Sequence, residues 1–422
     1  MSKRNIIEVE AKDLDTNFIS QNNVHIKTKA KSVKLPGESQ KSGIIIWMTE
    51  GETTFLHVLK YENEKLTECL RAWNYKGNVI DVYLSERLPF TITVLTANNI
   101  AYRITASNQD PTTPLVEKID VGTVKPSQIR CFDTDKTREL VLILDKQIRK
   151  YYQTWDSINE RTRLKEEEDK IQEERYEFSK EFQIDDSSLF ECNCKYFITR
   201  INDSNLPRPS LGMLTAKYFL MSNSFAGVEI KSWDDNKCII RQNVTPKQLS
   251  KVSIDNSAKY LAAVDITGTY CFIYQIEKSE LIPFGTYYRG QSQSQVQQLS
   301  FSHDSKIVIF VSSKSIRFIP LPGSALTLGT YIDEQSICCF SSPTSQTISV
   351  CEVNNGNESN YIFIVVTENS IVQITFELKT GRIENYHIKE FEGLIQMIKS
   401  LSQIDIRSEK TTKRERFYFN YN

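Results

Sequence analysis

The chain has 422 residues, 40% hydrophobic and 25% charged, and its 52 basic residues balance 53 acidic ones to a net charge of -1. That balance excludes a global field drawing the protein to nucleic acid or anionic lipid, so any such attraction is local. The opening MSKRNIIEVEAKDLD has no apolar stretch of a secretory leader, and no run approaches the roughly 18 to 20 apolar residues of a membrane helix, so a cytosolic chain is expected.

Residues 1–40 show little periodicity and carry Lys27, Lys29, Lys31 and Lys34, which reads as an N-terminal tail. Strand grammar begins after it. Short β-branched or aromatic runs ended by turn residues recur at Gly43 to Met48, Phe55 to Leu59, Phe90 to Leu95 and Leu140 to Leu144. The segment 157–186 breaks the pattern: it has no Gly or Pro, is dense in charge, and pairs Glu166 with Lys170 four residues on. It is expected to be a charged insertion between structural units, helical or disordered. Leu164, Ile171 and Phe178 fall seven apart with Phe182 beside them, which leaves open an amphipathic docking helix as well as a solvated loop.

Beyond the insertion the runs pair as hairpins, Tyr260 to Val264 with Tyr270 to Tyr274, then Lys306 to Val311 with Ile316 to Ile319, and another run spans Phe363 to Val366. The interval between these hairpins is about the 40 to 45 residues that one four-stranded propeller blade needs. Seven such units fit between residues 41 and 400, giving an all-β, seven-bladed β-propeller of WD-repeat type to which part of the N-terminal segment can contribute a closing strand. Residues 401–422 read as a C-terminal tail whose basic and aromatic residues include Phe417, Tyr418 and Phe419.

Signals of chemistry are sparse. The nine cysteines are odd in number and lack framework spacing, which points to reduced thiols. Cys192-x-Cys194 has no second pair or nearby histidine, so both are expected to be small core residues on one strand face rather than metal ligands. No nucleophile elbow, phosphate-binding Gly-Lys-Ser loop, zinc-protease helix or dinucleotide turn is present, so neither enzyme activity nor a cofactor or metal is expected.

One stretch is more specific. Ser253 to Leu321 contains Gly268-Thr269, Tyr287-Tyr288-Arg289-Gly290, Leu299 to Ser302, and Ser312-Ser313-Lys314-Ser315-Ile316-Arg317-Phe318. This order resembles the diagnostic region of the PROPPIN (WIPI) family, the WD-repeat propellers that read phosphoinositides. The region from SICCFSSPTSQTISVCEV to FEGL is similar to the family's closing blade. The resemblance implies two rim pockets, on the fifth and sixth blades, for phosphatidylinositol 3-phosphate or 3,5-bisphosphate.

The first arginine of the family's F/L-R-R-G motif is Tyr288 here, preceded by Tyr287, and an arginine expected in the fifth-blade strand is Phe272. The fifth-blade pocket is therefore expected to be crippled. The sixth-blade pocket keeps Arg289 and Gly290, the hydroxyls of Ser312, Ser313 and Ser315, and Arg317 where the family has histidine. Guanidinium forks, hydroxyls and main-chain N–H groups are the groups a phosphate needs. Without the resemblance, Arg289 reads as a rim salt bridge and Ser312 to Ser315 as a plain hairpin turn.

In place of the family's long membrane-inserting loop, the chain offers Leu326 and Leu328. The implied role is a monomeric peripheral effector on preautophagosomal, endosomal or vacuolar membranes, engaging a protein partner such as an autophagy lipid-transfer protein and no nucleic acid. The alternative is a propeller scaffold that has lost lipid binding and joins proteins only.

Overall fold

The computed structural model describes residues 26–35, 42–62, 65–88, 90–105, 115–120, 126–144, 146–155, 174–175, 177–184, 190–201, 203, 205–207, 226–234, 237–288, 295–312, 315–321, 338–341, 347–353, 360–367, 371–377 and 389–390. These residues form seven sheets. The first blade is β1 (Ile26–Lys34), β2 (Ser42–Glu50), β3 (Thr53–Glu62) and β4 (Lys65–Lys76). The second is β5 (Val79–Leu84), β6 (Thr91–Thr96), β7 (Ala101–Thr105) and β8 (Leu115–Asp120). The third is β9 (Gln128–Asp133), β10 (Thr137–Ile143), β11 (Gln147–Thr154) and β13 (Glu177–Gln183), and the two-residue β12 (Glu174–Arg175) lies parallel along β8 of the second.

The fourth blade is β14 (Phe190–Cys192), β15 (Tyr196–Ile201), β16 (Ala226–Ser232) and β17 (Cys238–Thr245). The fifth is β18 (Leu249–Ile254), β19 (Tyr260–Asp265), β20 (Tyr270–Ile276) and β21 (Leu281–Tyr288). The sixth is β22 (Val296–Phe301), β23 (Ile307–Ser312), β24 (Ser315–Pro320) and β25 (Cys338–Ser341). The seventh is β26 (Thr347–Val353), β27 (Asn360–Thr367), β28 (Ile371–Glu377) and β29 (Lys389–Glu390). The chain is an all-β, seven-bladed β-propeller.

Two compact units divide it, one holding the first three blades up to Glu181 with part of the seventh, the other running from Phe182 through the fourth, fifth and sixth blades to Val350. Within each unit blades stack through apolar layers. A second strand with neighbours on both faces is buried on both, which is why β6 and β23 are buried at all six positions and read as unbroken apolar runs. In the first unit one layer joins Ile45, Leu56 and Val58 of the first blade to Val82, Ile92 and Val94 of the second. In the second unit Ala262, Val264 and Ile273 of the fifth blade pack on Val308, Phe310 and Ile319 of the sixth.

Two expectations need correction, on the segment 157–186 and on Cys194. The N-terminal lysine segment supplies β1, paired residue for residue with β2 from Ile26↔Glu50 to Lys34↔Ser42. Its inward positions are small, Ala30 being buried at 7% exposure, so alternation was masked by lysines on the other face. The end of the charged segment 157–186 is β13, not helix or loop: Phe182 and Ile184 are buried while Ser179, Glu181 and Gln183 are exposed, a period of two. Phe182 seats against Phe197 (ring centroids 4.9 Å) and Trp233 (5.5 Å), so it is blade core and not half of a helical stripe. Residues 156–173, with Leu164 and Ile171, lie outside the described residues. Finally, Cys194 is exposed and Cys192 half-buried, because β14 ends at Cys192 and leaves Cys194 in the following turn.

Candidate functional site

The motif residues converge on one edge of the fifth and sixth blades. In the fifth, β19 turns into β20 through Asp265–Thr269. The buried Asp265 carboxylate accepts hydrogen bonds from Thr267 N (3.0 Å), the Thr267 hydroxyl and Gly268 N (3.1 Å). Gly268 has φ of +59°, a left-handed conformation that a side chain disfavours, so glycine fits this step of the turn. The strand β20 then pairs with the end of β21, Tyr270 opposite Tyr288 and Cys271 opposite Tyr287.

Alternation sends the two tyrosines to opposite faces. Tyr287 is buried in the layer between the fifth and sixth blades. Tyr288 packs on Tyr270, with ring centroids 5.1 Å apart, on the face that carries Phe272. Phe272 is fully buried among fourth- and fifth-blade side chains, with Tyr270 stacked 5.9 Å from it. The structure therefore puts a packed aromatic ladder at the two positions where the PROPPIN resemblance expects arginines. A ladder of this kind has no cation to offer a phosphate.

In the sixth blade the β23–β24 hairpin pairs Ser312 with Ser315 and Phe310 with Arg317, and the Ser312, Phe310 and Arg317 side chains share one face. Phe310 belongs to the layer shared with Tyr287, which directs that face toward the fifth blade. Ser312 is fully buried and Arg317 half-buried. The Arg317 guanidinium donates through Nη1 to the Tyr287 phenol oxygen, and its carbon lies 5.6 Å from the Tyr287 ring centroid. Tyr287 thus holds the arginine with its phenol oxygen and its π face.

The structure brings together Ser312, Arg317 and Tyr287, and the last of these, read from sequence only as a degenerate motif position, is Arg317's support. Arg289, Gly290, Ser313, Leu326 and Leu328 lie outside the described residues, as does the side chain of Ser315. Among the described residues no cluster of three or more His, Cys, Asp or Glu side chains could hold a metal ion, and no helix is long and apolar enough to cross a membrane.

No family model and no curated protein sequence matches the chain. Solved structures do. KlAtg21, in a complex with the coiled-coil of AgAtg16, superposes with a TM-score of 0.53 at 9% identity, covering 86% of this chain and 98% of that one. KlHsv2 with loop 6CD replaced by a Gly-Ser linker gives 0.50 at 8% identity over 86% and 98%, and Kluyveromyces lactis Hsv2 gives 0.47 at 10% over 87% and 98%. At such identities the likeness is one of fold, shared with the propellers of KlAtg21 and KlHsv2.

Proposed function

We propose that the protein is a non-enzymatic phosphoinositide effector in autophagy or endolysosomal trafficking, which holds the headgroup of phosphatidylinositol 3-phosphate or 3,5-bisphosphate at the edge between its fifth and sixth blades. The observation that carries the reading is that Arg317, bonded to Tyr287, and Ser312 lie on the same face of the β23–β24 hairpin, turned to the fifth blade. Arg289 and Gly290 follow Tyr288 in sequence and Ser313 follows Ser312, so both chain segments carry further residues of the type that binds phosphate. The fifth-blade site is lost to the Tyr270, Phe272 and Tyr288 ladder, leaving one headgroup site and no avidity from a second. The protein works in the cytoplasm, peripherally on preautophagosomal, endosomal or vacuolar membranes.

Flotation of the full chain with phosphatidylcholine vesicles, with and without a few mole per cent phosphatidylinositol 3-phosphate, tests this. Each charge-assisted hydrogen bond to phosphate is worth roughly 1.5 to 3 kcal/mol, so Arg317→Ala is expected to lower the affinity about tenfold to hundredfold. Arg317→Ala combined with Arg289→Ala is expected to abolish flotation. Wild-type protein that stays with the unbound fraction at every headgroup overturns the reading.

A scaffold without lipid binding is the second reading, favoured by the burial of Phe272. The presence of an AgAtg16 coiled-coil on the similarly folded KlAtg21 supports a protein partner under either reading. Partner capture that survives Arg317→Ala, together with absent flotation of the wild type, would select the scaffold.

A further inference from the structure

We propose that the apex of the β19–β20 turn is a membrane-insertion point, with Ile266 entering the boundary between headgroups and acyl chains and Tyr270 and Tyr288 lying at headgroup level. This rests on the lipid-binding reading and deepens it by naming a second, apolar element of adhesion on the same edge. Among the described residues only Leu88 and Ile266 are large exposed hydrophobic side chains, and Ile266 is 54% exposed. Tight-turn apices ordinarily carry glycine or polar residues, and this one presents an isoleucine to solvent.

The turn is built to hold that side chain outward. Asp265 ties down Thr267 and Gly268 through its carboxylate, Gly268 N also donates to Asp265 O (2.9 Å), and Ile266 N donates to Gln248 O (2.9 Å) in the connection between β17 and β18. With its own amide and the two that follow all engaged, the backbone of the apex is fixed where Ile266 leaves it. Around it stand the Thr267 and Thr269 side chains and, next to Gln248, the half-buried Lys247. The half-buried Tyr270 and Tyr288 rings pack on each other at the adjoining strand ends. Tyrosine, with an apolar body and a polar tip, suits the headgroup layer, and lysine suits an anionic one.

Position argues for a bilayer. The end of β21 lies beside the start of β20, and β22 starts at Val296 opposite Ser312, so the Ile266 turn and the Ser312–Ser315 turn mark the same edge of adjacent blades. A headgroup held at the second turn places the first against the same bilayer. The apex is a single projecting side chain rather than a groove, which matches a fluid plane better than a protein surface needing shape complementarity.

The experiment uses the full chain and phosphatidylcholine vesicles carrying a few mole per cent phosphatidylinositol 3-phosphate, made with or without brominated acyl chains. Ile266→Trp is expected to give a blue-shifted emission that brominated lipid quenches, above the response of the wild type with its four native tryptophans. Ile266→Asn is expected to lower vesicle affinity roughly tenfold, the loss from partial burial of one branched side chain. An unquenched Ile266→Trp together with wild-type flotation of Ile266→Asn overturns the insertion, and if Arg317→Ala still loses binding the headgroup reading stands. A wild type that floats with no vesicle overturns both.

Discussion

Replacing Asp255 with alanine should destabilise the unit of the fourth, fifth and sixth blades by about 3 to 5 kcal/mol, and the magnitude follows from the bonds that would be lost. Asp255 is fully buried at the end of β18. Its carboxylate accepts Lys259 N (2.7 Å), Tyr260 N (2.6 Å), Ser257 N (3.1 Å) and the Ser257 hydroxyl within the turn, and the Ser305 hydroxyl (2.7 Å) from the sixth blade. Its carbonyl accepts Asn193 Nδ2 (3.0 Å) from the fourth. Ser257 and Lys259 are exposed and can turn to water, whereas Tyr260 N and Ser305 Oγ are partly shielded, and each shielded donor left unmade costs roughly 1 to 3 kcal/mol. Ser305→Ala, which removes one inter-blade bond, should cost about 1 kcal/mol. The assay is urea unfolding followed by tryptophan fluorescence. Trp233 reports on this region because it is buried and its indole N–H donates to Asn193 O (2.9 Å). A loss under about 1 kcal/mol for Asp255→Ala, with Ser305→Ala silent, would refute the argument that this carboxylate joins the fifth and sixth blades.

The fold was legible where blades sandwich a strand. The β2, β6, β19 and β23 runs are apolar on both faces, and their turns carry the expected punctuation, with Asp265 and Gly268 doing in space what DITG suggests in sequence. Strands that meet solvent or carry charge on one face were hidden. In β1 the buried face offers Ala30 rather than a branched residue, and in β13 Glu177, Lys180 and Glu181 outweigh Phe182 and Ile184 in any window average. For the candidate site, the family likeness pointed to this edge but not to the contact that supports Arg317. Arg317 and Tyr287 are 30 residues apart, and their contact depends on the register of two blades, which no local pattern encodes. Phe272 illustrates the opposite limit: its replacement of an expected arginine was readable, while its full burial in an aromatic ladder came only with the packing.

Thiol chemistry and acid titration give two further tests. Among the described cysteines, alkylation of the native protein followed by mass spectrometry should modify exposed Cys194 first, whereas Cys271, fully buried and with its thiol pushed up by that burial, should react only after unfolding; early modification of Cys271 would contradict its place in the layer between the fifth and sixth blades. Acid sensitivity should trace in part to Asp81, which binds Lys31 Nζ and Arg130 Nη1 (3.0 Å) and accepts the Tyr83 hydroxyl (3.1 Å). Burial alone would raise this carboxyl, but Lys31 and Arg130 outweigh it and hold the group below the usual value of 3.8. A carboxyl lowered by folding contributes its stability in full above that value and loses it as pH falls through the lower, folded-state value. Asp81→Asn should therefore cost roughly 1 to 3 kcal/mol at neutral pH, less than a fully buried pair because Lys31 is 37% exposed. The difference from wild type should shrink as the medium is acidified below about pH 4. A gap between the two denaturation midpoints that stays constant down to strong acid would show that the carboxylate charge is not what binds β1, β5 and β9 together.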